Sequence, residues 1–286
     1  MKKRITALML TVVLLLALLP ISNAQGVYDG LGRVEEAEAP AQSGEITVES
    51  LLSACKEQTL EKKTELVHAL HDYLLCQMTC SARAQDLENA KKALETCKND
   101  VLMGRGDAAA LDAAQQTADR KQAESDKAVL EQLKAAAKIR GLTDVDVSGA
   151  ELDAQAVFLT LKPSELSLAE LKEAAQMNPV SDADTEQILL DLEQDYIDIS
   201  LTYAEIGLAA TDYRTAVDAR ESLALDVVMG KASAEDFRTA TAQMKQARLD
   251  LFSAMSDYSK LLYAVNEKCG GWVAQKAGKL TGYMTN

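Results

Sequence analysis

The chain has 286 residues, with 4% aromatic residues, four prolines and a formal net charge of −14. So few aromatic and turn-forming residues argue against a β-sandwich or β-barrel fold, and an acidic surface repels nucleic acid and anionic lipid. Because only two histidines and one tryptophan are present, we predict a helical protein that is not an enzyme, holds no cofactor and binds no nucleic acid.

The N-terminus has the features of a secretory signal. Three basic residues at 2–4 are followed by an apolar run over 5–21 and by the small-residue motif Ser-Asn-Ala at 22–24. Signal peptides have this order of a basic start, an apolar core and a small-residue exit. We predict a signal peptide at 1–24, with a retained anchor as the alternative, and a flexible leader at 25–44. No later apolar run is long enough to span a membrane as a helix.

Residues 45–141 are predicted to form a long helical hairpin. Neither glycine nor proline occurs between Gly44 and Gly104, which predicts one unbroken helix over 47–103. Its apolar residues recur in heptads. A second apolar stripe beside them indicates that this helix packs on two sides.

A turn at 104–107 leads into a second helix over 108–140, which we expect to end in a left-handed cap at Gly141. The same arrangement returns at an offset of 126 residues, so that a second hairpin occupies 181–270. Its predicted parts are a helix over 184–229, a turn over 230–233 and a helix over 234–267.

The linker over 142–180 has a different pattern. Alternating apolar and polar residues over 154–162 predict a short strand, and 167–177 reads as a short helix. Residues 271–286 form a tail. The predicted fold class is therefore all-α, with two long antiparallel coiled-coil helical hairpins that form an internal repeat and a short mixed linker.

The five cysteines raise the question of a disulfide or a metal site. Cys55, Cys76 and Cys97 lie 21 residues apart, and Cys80 follows Cys76 by four, so all four share one seam. Cys269 lies at a different distance from its tip than Cys55 and Cys76 do from theirs, which excludes a cross-link between hairpins, since a disulfide needs Cα atoms within about 7 Å. We interpret the thiols as buried apolar side chains and predict no metal site. A metal-binding pair at Cys76 and Cys80 is the alternative.

The two predicted turns carry the candidate binding residues. A Met-Gly-basic sequence occurs at both, in short loops that we expect to be exposed. These residues either cap the helices or dock a partner, and the residues alone leave both options open. The candidates are Gly104, Arg105 and Asp107 at the first turn and Gly230, Lys231 and Ser233 at the second.

The second turn and the helix after it resemble the hairpin-tip pattern of TolC-type outer-membrane efflux proteins. That pattern has a glycine, an acidic residue with an apolar neighbour, spaced alanines and leucines, a tyrosine and a closing glycine. The matching residues are Gly230, Asp236, Ala240, Leu249, Tyr258 and Gly270. Met229 and Phe237 depart from the pattern conservatively, at sites where a bulky apolar residue suffices. The first copy matches at Gly104, Leu111, Ala114, Leu130, Leu133 and Gly141.

The resemblance implies a homotrimer whose hairpins build a tunnel and whose tips meet a periplasmic adaptor of an export pump. The family inserts membrane-barrel strands in each copy, but residues 54–65 and 180–190 leave no room for them here. We therefore expect a secreted cell-envelope protein, a TolC-like export component that forms an α-helical conduit or a coupling piece for a transporter. The alternative is a non-channel coiled-coil scaffold of the envelope.

Overall fold

A computed structural model describes residues 46–177, 185–280 and 282–284 of the chain. The predicted signal peptide and leader lie outside these ranges. Helices account for 81% of the described residues, none of which forms a strand. The α-helices are α1 (Val48–Ser53), α2 (Leu60–Leu102), α3 (Ala108–Thr143), α4 (Ala154–Val157), α5 (Leu168–Met177), α6 (Thr185–Val228), α7 (Ala234–Lys268) and α8 (Trp272–Ala277).

The predicted all-α fold of two long hairpins is confirmed. Helix α2 packs along α3, and α6 packs along α7, as antiparallel pairs. The two hairpins meet through α2 and α7, so the long helices lie in the order α3, α2, α7, α6. With 43 residues in α2, a hairpin is about 65 Å long. We call the end that carries the linker the base and the opposite end the tips.

The predicted single helix over 47–103 is wrong, because the chain leaves the helix after Ser53 and begins α2 at Leu60. No glycine or proline causes the break. The Gln58 side-chain amide donates to the carbonyls of Leu52 at 3.3 Å and Ser53 at 3.2 Å and so satisfies the end of α1, and it also donates to the Cys55 carbonyl at 2.7 Å. The Thr59 hydroxyl accepts from the Lys62 amide at 3.3 Å and caps the start of α2.

The predicted end of α3 at Gly141 is also wrong. The helix continues to Thr143, and Asp144 takes the left-handed position with a φ of 61°. Its carboxylate forms an ion pair with Lys56 at 2.8 Å, and the Lys56 amide donates to the Leu142 carbonyl at 2.9 Å. Contacts between the non-helical segment at 54–59 and the end of α3 therefore accompany the extension of α3 to Thr143.

The predicted strand over 154–162 is wrong, whereas the predicted short helix before Met177 is confirmed as α5. Residues 154–157 form the helical turn α4, because the Asp153 carboxylate accepts from the Gln155 amide at 2.8 Å. The rest of the segment pairs with no strand in the described ranges, and its Leu161 carbonyl accepts from the Tyr258 hydroxyl of α7 at 2.5 Å. The apolar alternation therefore reflects packing on α7 rather than pairing in a sheet.

Polar contacts join the two hairpins near the base. The His68 ring donates from Nε2 to the Lys260 carbonyl at 3.0 Å, and the Lys260 ammonium pairs with Asp72 at 2.5 Å. Further along, the Lys245 ammonium donates to the Gln85 side-chain oxygen at 2.7 Å. These contacts hold α2 and α7 in one register.

The hydrophobic core lies at the base. It combines α1, the first half of α2, the end of α3, the linker, the first half of α6, the second half of α7 and α8. Towards the tips, a separate small cluster contains only Ala90, Leu94 and Ala118 as buried members. Among the described residues, no helix combines the length and apolar character that a membrane crossing requires.

Candidate docking surfaces at the tips and edges

The first tip (residues 102–107) and the second tip (residues 228–233) repeat the same turn. At each tip the glycine amide donates to the carbonyl three residues earlier at 3.0 Å, and the next amide donates to the carbonyl five residues earlier at 2.8 Å. Gly104 and Gly230 both have a φ of 70°, which glycine adopts without the steric cost of a side chain. The sequence repeat is therefore a repeat of backbone geometry.

The two tips differ at one position. A side chain at Gly106 would place its Cβ 2.7 Å from the Val101 amide nitrogen, whereas the second tip has Ala232 at the corresponding position. The Gly106 amide lies 2.9 Å from the Asp100 carbonyl, and the Ala232 amide lies 3.3 Å from the Asp226 carbonyl. The second turn is slightly more open, which accommodates the extra methyl group.

Two of the six candidate residues cap the helices that follow. The Asp107 carboxylate accepts from the Ala109 amide at 3.2 Å. The Ser233 hydroxyl accepts from the Asp236 amide at 3.1 Å, and the Asp236 carboxylate accepts from the Ser233 hydroxyl at 2.7 Å. The hydrogen bonds from Ser233 lower the pKa of Asp236. These side chains therefore satisfy the backbone locally, and a docking role for them stays a prediction.

The tips also expose large apolar side chains that were not among the predicted candidates. Leu102 is 84% exposed and Val228 is 86% exposed, and a methionine and then a glycine follow each. Arg105 and Lys231 come next in the chain, and the Arg105 guanidinium donates to the Asp100 carboxylate at 3.3 Å. The signal was present as the repeated apolar-Met-Gly-basic sequence. Each tip thus offers a large apolar residue and a cation in one turn.

A second candidate surface is the outer side of α3, which we call the basic edge. It is formed by the exposed residues Lys127, Leu130, Lys134 and Lys138. Leu130 is 62% exposed, on the side of α3 that faces away from α2. Between residues 127 and 140 the helix has four basic residues and one acidic residue.

The outer side of α6 has the opposite charge, and we call it the acidic edge. It is formed by the exposed residues Leu190, Ile197, Leu201, Glu205 and Leu208. From 185 to 213 the helix has no lysine or arginine but seven acidic residues. These leucines and the isoleucine project away from the buried stripe of α6, so nothing in the described chain covers them.

The two edges lie at about the same distance from the base. Arg83 on α2 contacts Glu124 on α3, and the Lys245 ammonium on α7 contacts Gln85 on α2. The Tyr203 and Tyr258 rings join α6 to α7. Counting along the helices from these contacts brings Leu130 level with Leu208 and Lys134 level with Glu205.

The thiols differ in exposure. Cys55 and Cys269 are buried, as interpreted from the sequence, but Cys76, Cys80 and Cys97 are only half-buried. All five are free. Among the described residues, no group of three or more histidine, cysteine or acidic side chains is placed to hold one metal ion.

No protein-family model and no curated protein matches this chain. Among solved structures, it is similar to a membrane protein from Pseudomonas aeruginosa, with 10% identity and a TM-score of 0.49 over 74% of this chain and 68% of that one. It is also similar to the CmeC outer membrane channel of Campylobacter jejuni, with 13% identity and a TM-score of 0.43. That match covers 74% of this chain and 63% of the channel.

Proposed function

We propose that copies of this protein associate side by side through their edges into a TolC-type α-helical assembly of the cell envelope. The assembly, a homotrimer as the sequence resemblance implies, acts as a conduit or coupling piece for an export transporter. Its tips dock an adaptor-type partner, and the chain itself performs no catalysis.

The complementary edges are the observation that carries this proposal. An apolar stripe with acidic flanks on α6 and an apolar residue with basic flanks on α3 lie level with each other on opposite sides of the molecule. When the basic edge of one copy contacts the acidic edge of the next, the two end copies each keep one free edge. Further copies can therefore add until the row closes into a ring. Association through two acidic edges would instead place like charges together, which costs free energy.

The tips support the second half of the proposal. Both turns lie at the end of the hairpins that the linker and the base helices leave open. Each exposes a large apolar side chain, Leu102 or Val228, beside a cation. An adaptor that offers apolar grooves with acidic residues nearby would match both tips in the same way.

Sedimentation equilibrium of the purified protein tests the assembly. We expect an oligomer that Leu201→Asp converts to the monomer, because the substitution places a charge in the proposed interface. Lys134→Glu and Glu205→Lys should each weaken association, and the double variant should restore it. Lys98→Glu, on α2 away from both edges, is the matched control.

A wild-type protein that stays monomeric at every concentration would contradict the proposal and favour the scaffold alternative. Equal weakening by Lys98→Glu, or a double charge variant that is weaker than both single ones, would show that the edges do not meet.

A further inference from the structure

The thiols of Cys76 and Cys80 form a pair that the proposed function does not use. They lie four residues apart on α2, both are half-buried, and neither is in a disulfide. The charge of Glu131 on α3 contributes to the raised pKa of both thiols, whereas the Lys260 charge on α7 acts to lower the pKa of Cys76. The remaining half-buried thiol, Cys97, lies 17 residues further along the helix.

Helix geometry keeps this pair from closing into a disulfide. Residues four apart on a helix have Cβ atoms about 5–6 Å apart, whereas a disulfide needs about 3.5–4.5 Å. Burial raises the pKa of Cys76 and, together with the neighbouring Cys76 thiol, raises that of Cys80 to about 11. The pair is therefore protonated at neutral pH and is a poor nucleophile.

The same spacing suits a cation held between two sulfur atoms. Two metal–sulfur bonds of about 2.3 Å, the length of a zinc–thiolate bond, span about 4.6 Å, which is within reach of two side chains on adjacent turns. Zinc in structural sites takes four ligands, and no third ligand of the kinds considered above joins the pair within the described ranges. Soft thiolate ligands select Cu(I), zinc and iron–sulfur clusters, and because iron–sulfur clusters also take four protein ligands, Cu(I) is the one that suits two thiolates.

We propose that Cys76 and Cys80 bind one soft monovalent cation of the Cu(I) type in two-coordinate form. Binding forms two metal–sulfur bonds and releases the two thiol protons to solvent, with no change in oxidation state. The site is independent of the proposed assembly, because it lies within one hairpin and uses residues of neither edge and neither tip.

Anaerobic titration of the purified protein with Cu(I), in competition with the chelator bathocuproine disulfonate, tests this site. We expect one tightly held Cu(I) per chain. Cys76→Ser and Cys80→Ser should each lower the affinity by more than the roughly 10–100-fold that loss of a supporting outer-shell group causes. Cys97→Ser should leave both stoichiometry and affinity unchanged.

A spacing variant provides the sharper control. Cys80→Ser combined with Ser81→Cys keeps the number of thiols, but it turns one thiol about 100° around the helix. Ser81 is exposed, so helix content measured by circular dichroism should not change. The variant should bind Cu(I) as weakly as Cys80→Ser alone. Retained binding by the spacing variant, an equal loss in Cys97→Ser, or a wild type that fails to compete with the chelator would overturn the proposal.

Discussion

The base and the tips belong to the same four long helices but are stabilised differently. At the base, α2 and α7 are covered by the linker and the short helices, and side chains such as Leu66 and Tyr263 are fully buried. Towards the tips, the buried apolar residues of the first hairpin are Leu87, Leu94 and the two alanines Ala90 and Ala118. Hydrophobic stabilisation is therefore concentrated at one end.

Surface ion pairs do not make up the difference at the tips. The Lys92–Glu88 and Arg238–Glu235 pairs of the outer hairpin halves are exposed, and such pairs contribute little to stability. The tip turns instead expose Leu102 and Val228 with little buried core beside them, and exposed apolar side chains mark a surface for interaction. The tip turns can therefore contact a partner without drawing on the core, whereas the base carries both the core and the edges of the proposed assembly.

The same leucine-to-alanine substitution at two places on α2 should give the largest difference between base and tip. We expect Leu66→Ala, in the base, to lower the free energy of unfolding by about 3–5 kcal/mol, because the crowded core cannot close over the cavity. Leu94→Ala, in the tip cluster, should cost about 2 kcal/mol or less, since few side chains surround it. Urea unfolding of both variants measures the difference, and equal losses would contradict the division.

The base should also be the part that is sensitive to acid, through His71. Its ring is buried against Phe158 and Tyr263, its Nδ1–H donates to the Val67 carbonyl at 2.8 Å, and its Nε2 has no hydrogen-bond partner among the described residues. Burial lowers the pKa of His71 from 6.5 to about 3. The folded protein therefore keeps this ring neutral at pH values where the unfolded chain protonates it.

The sign of the pH effect follows from this difference. The contribution of His71 to stability is complete above pH 6.5 and declines as the pH falls towards 3. At pH 5 the loss should be about 2 kcal/mol, from 1.4 kcal/mol per pH unit. Urea unfolding at pH 7 and pH 5 measures it. His71→Leu should remove this part of the pH dependence, and an unchanged pH dependence in that variant would contradict the assignment.

Gly106 offers a smaller effect that compares the two tips with each other. In Gly106→Ala the new Cβ would meet the Val101 amide nitrogen at 2.7 Å, so the turn must open, at a cost of about 1 kcal/mol. Ala232→Gly should be close to neutral, because that turn already accommodates a methyl group. Faster amide hydrogen exchange around the first tip in Gly106→Ala is the expected result, and equal protection in both variants would show that the turns are equivalent.

The sequence predicted the parts of the fold that depend on backbone chemistry. Gly104 and Gly230 interrupt long stretches with few helix breakers, and both occupy the positive-φ position that ends a helix. Five residues, 103–107 and 229–233, separate the two helices of each hairpin. The hairpins and their repeat could therefore be predicted from the sequence. Among the candidate site residues, the turn glycines and the capping role of Asp107 and Ser233 could also be predicted, because they too depend on local backbone chemistry.

The sequence did not predict features that depend on contacts between distant residues. The break before α2 is made by Gln58 and Thr59, which look like ordinary helix-surface residues until their hydrogen bonds are seen. The alternating segment at 154–162 has the period of a strand, but Tyr258 of α7 takes the Leu161 carbonyl. The exposure of Leu102 and Val228 depends on where each helix ends, which hydrophobicity alone does not show.

The smallest expected effect on stability is at the exposed apolar residues of the tips, where the largest effect on docking is expected. Leu102→Ser and Val228→Ser, alone or together, should change the free energy of unfolding by no more than about 0.5 kcal/mol, since these side chains bury almost nothing in the free chain. If the tips dock an adaptor-type protein, the double variant should bind it about tenfold more weakly, because the serines remove apolar area that docking would bury. Surface plasmon resonance with the co-expressed partner measures the affinity, and Glu57→Lys, an exposed charge change at the base, is the control. Unchanged binding by the double variant beside a folded control would show that the tips are not the docking surface. The base would then still account for the stability of the chain, but the tips would not account for its binding.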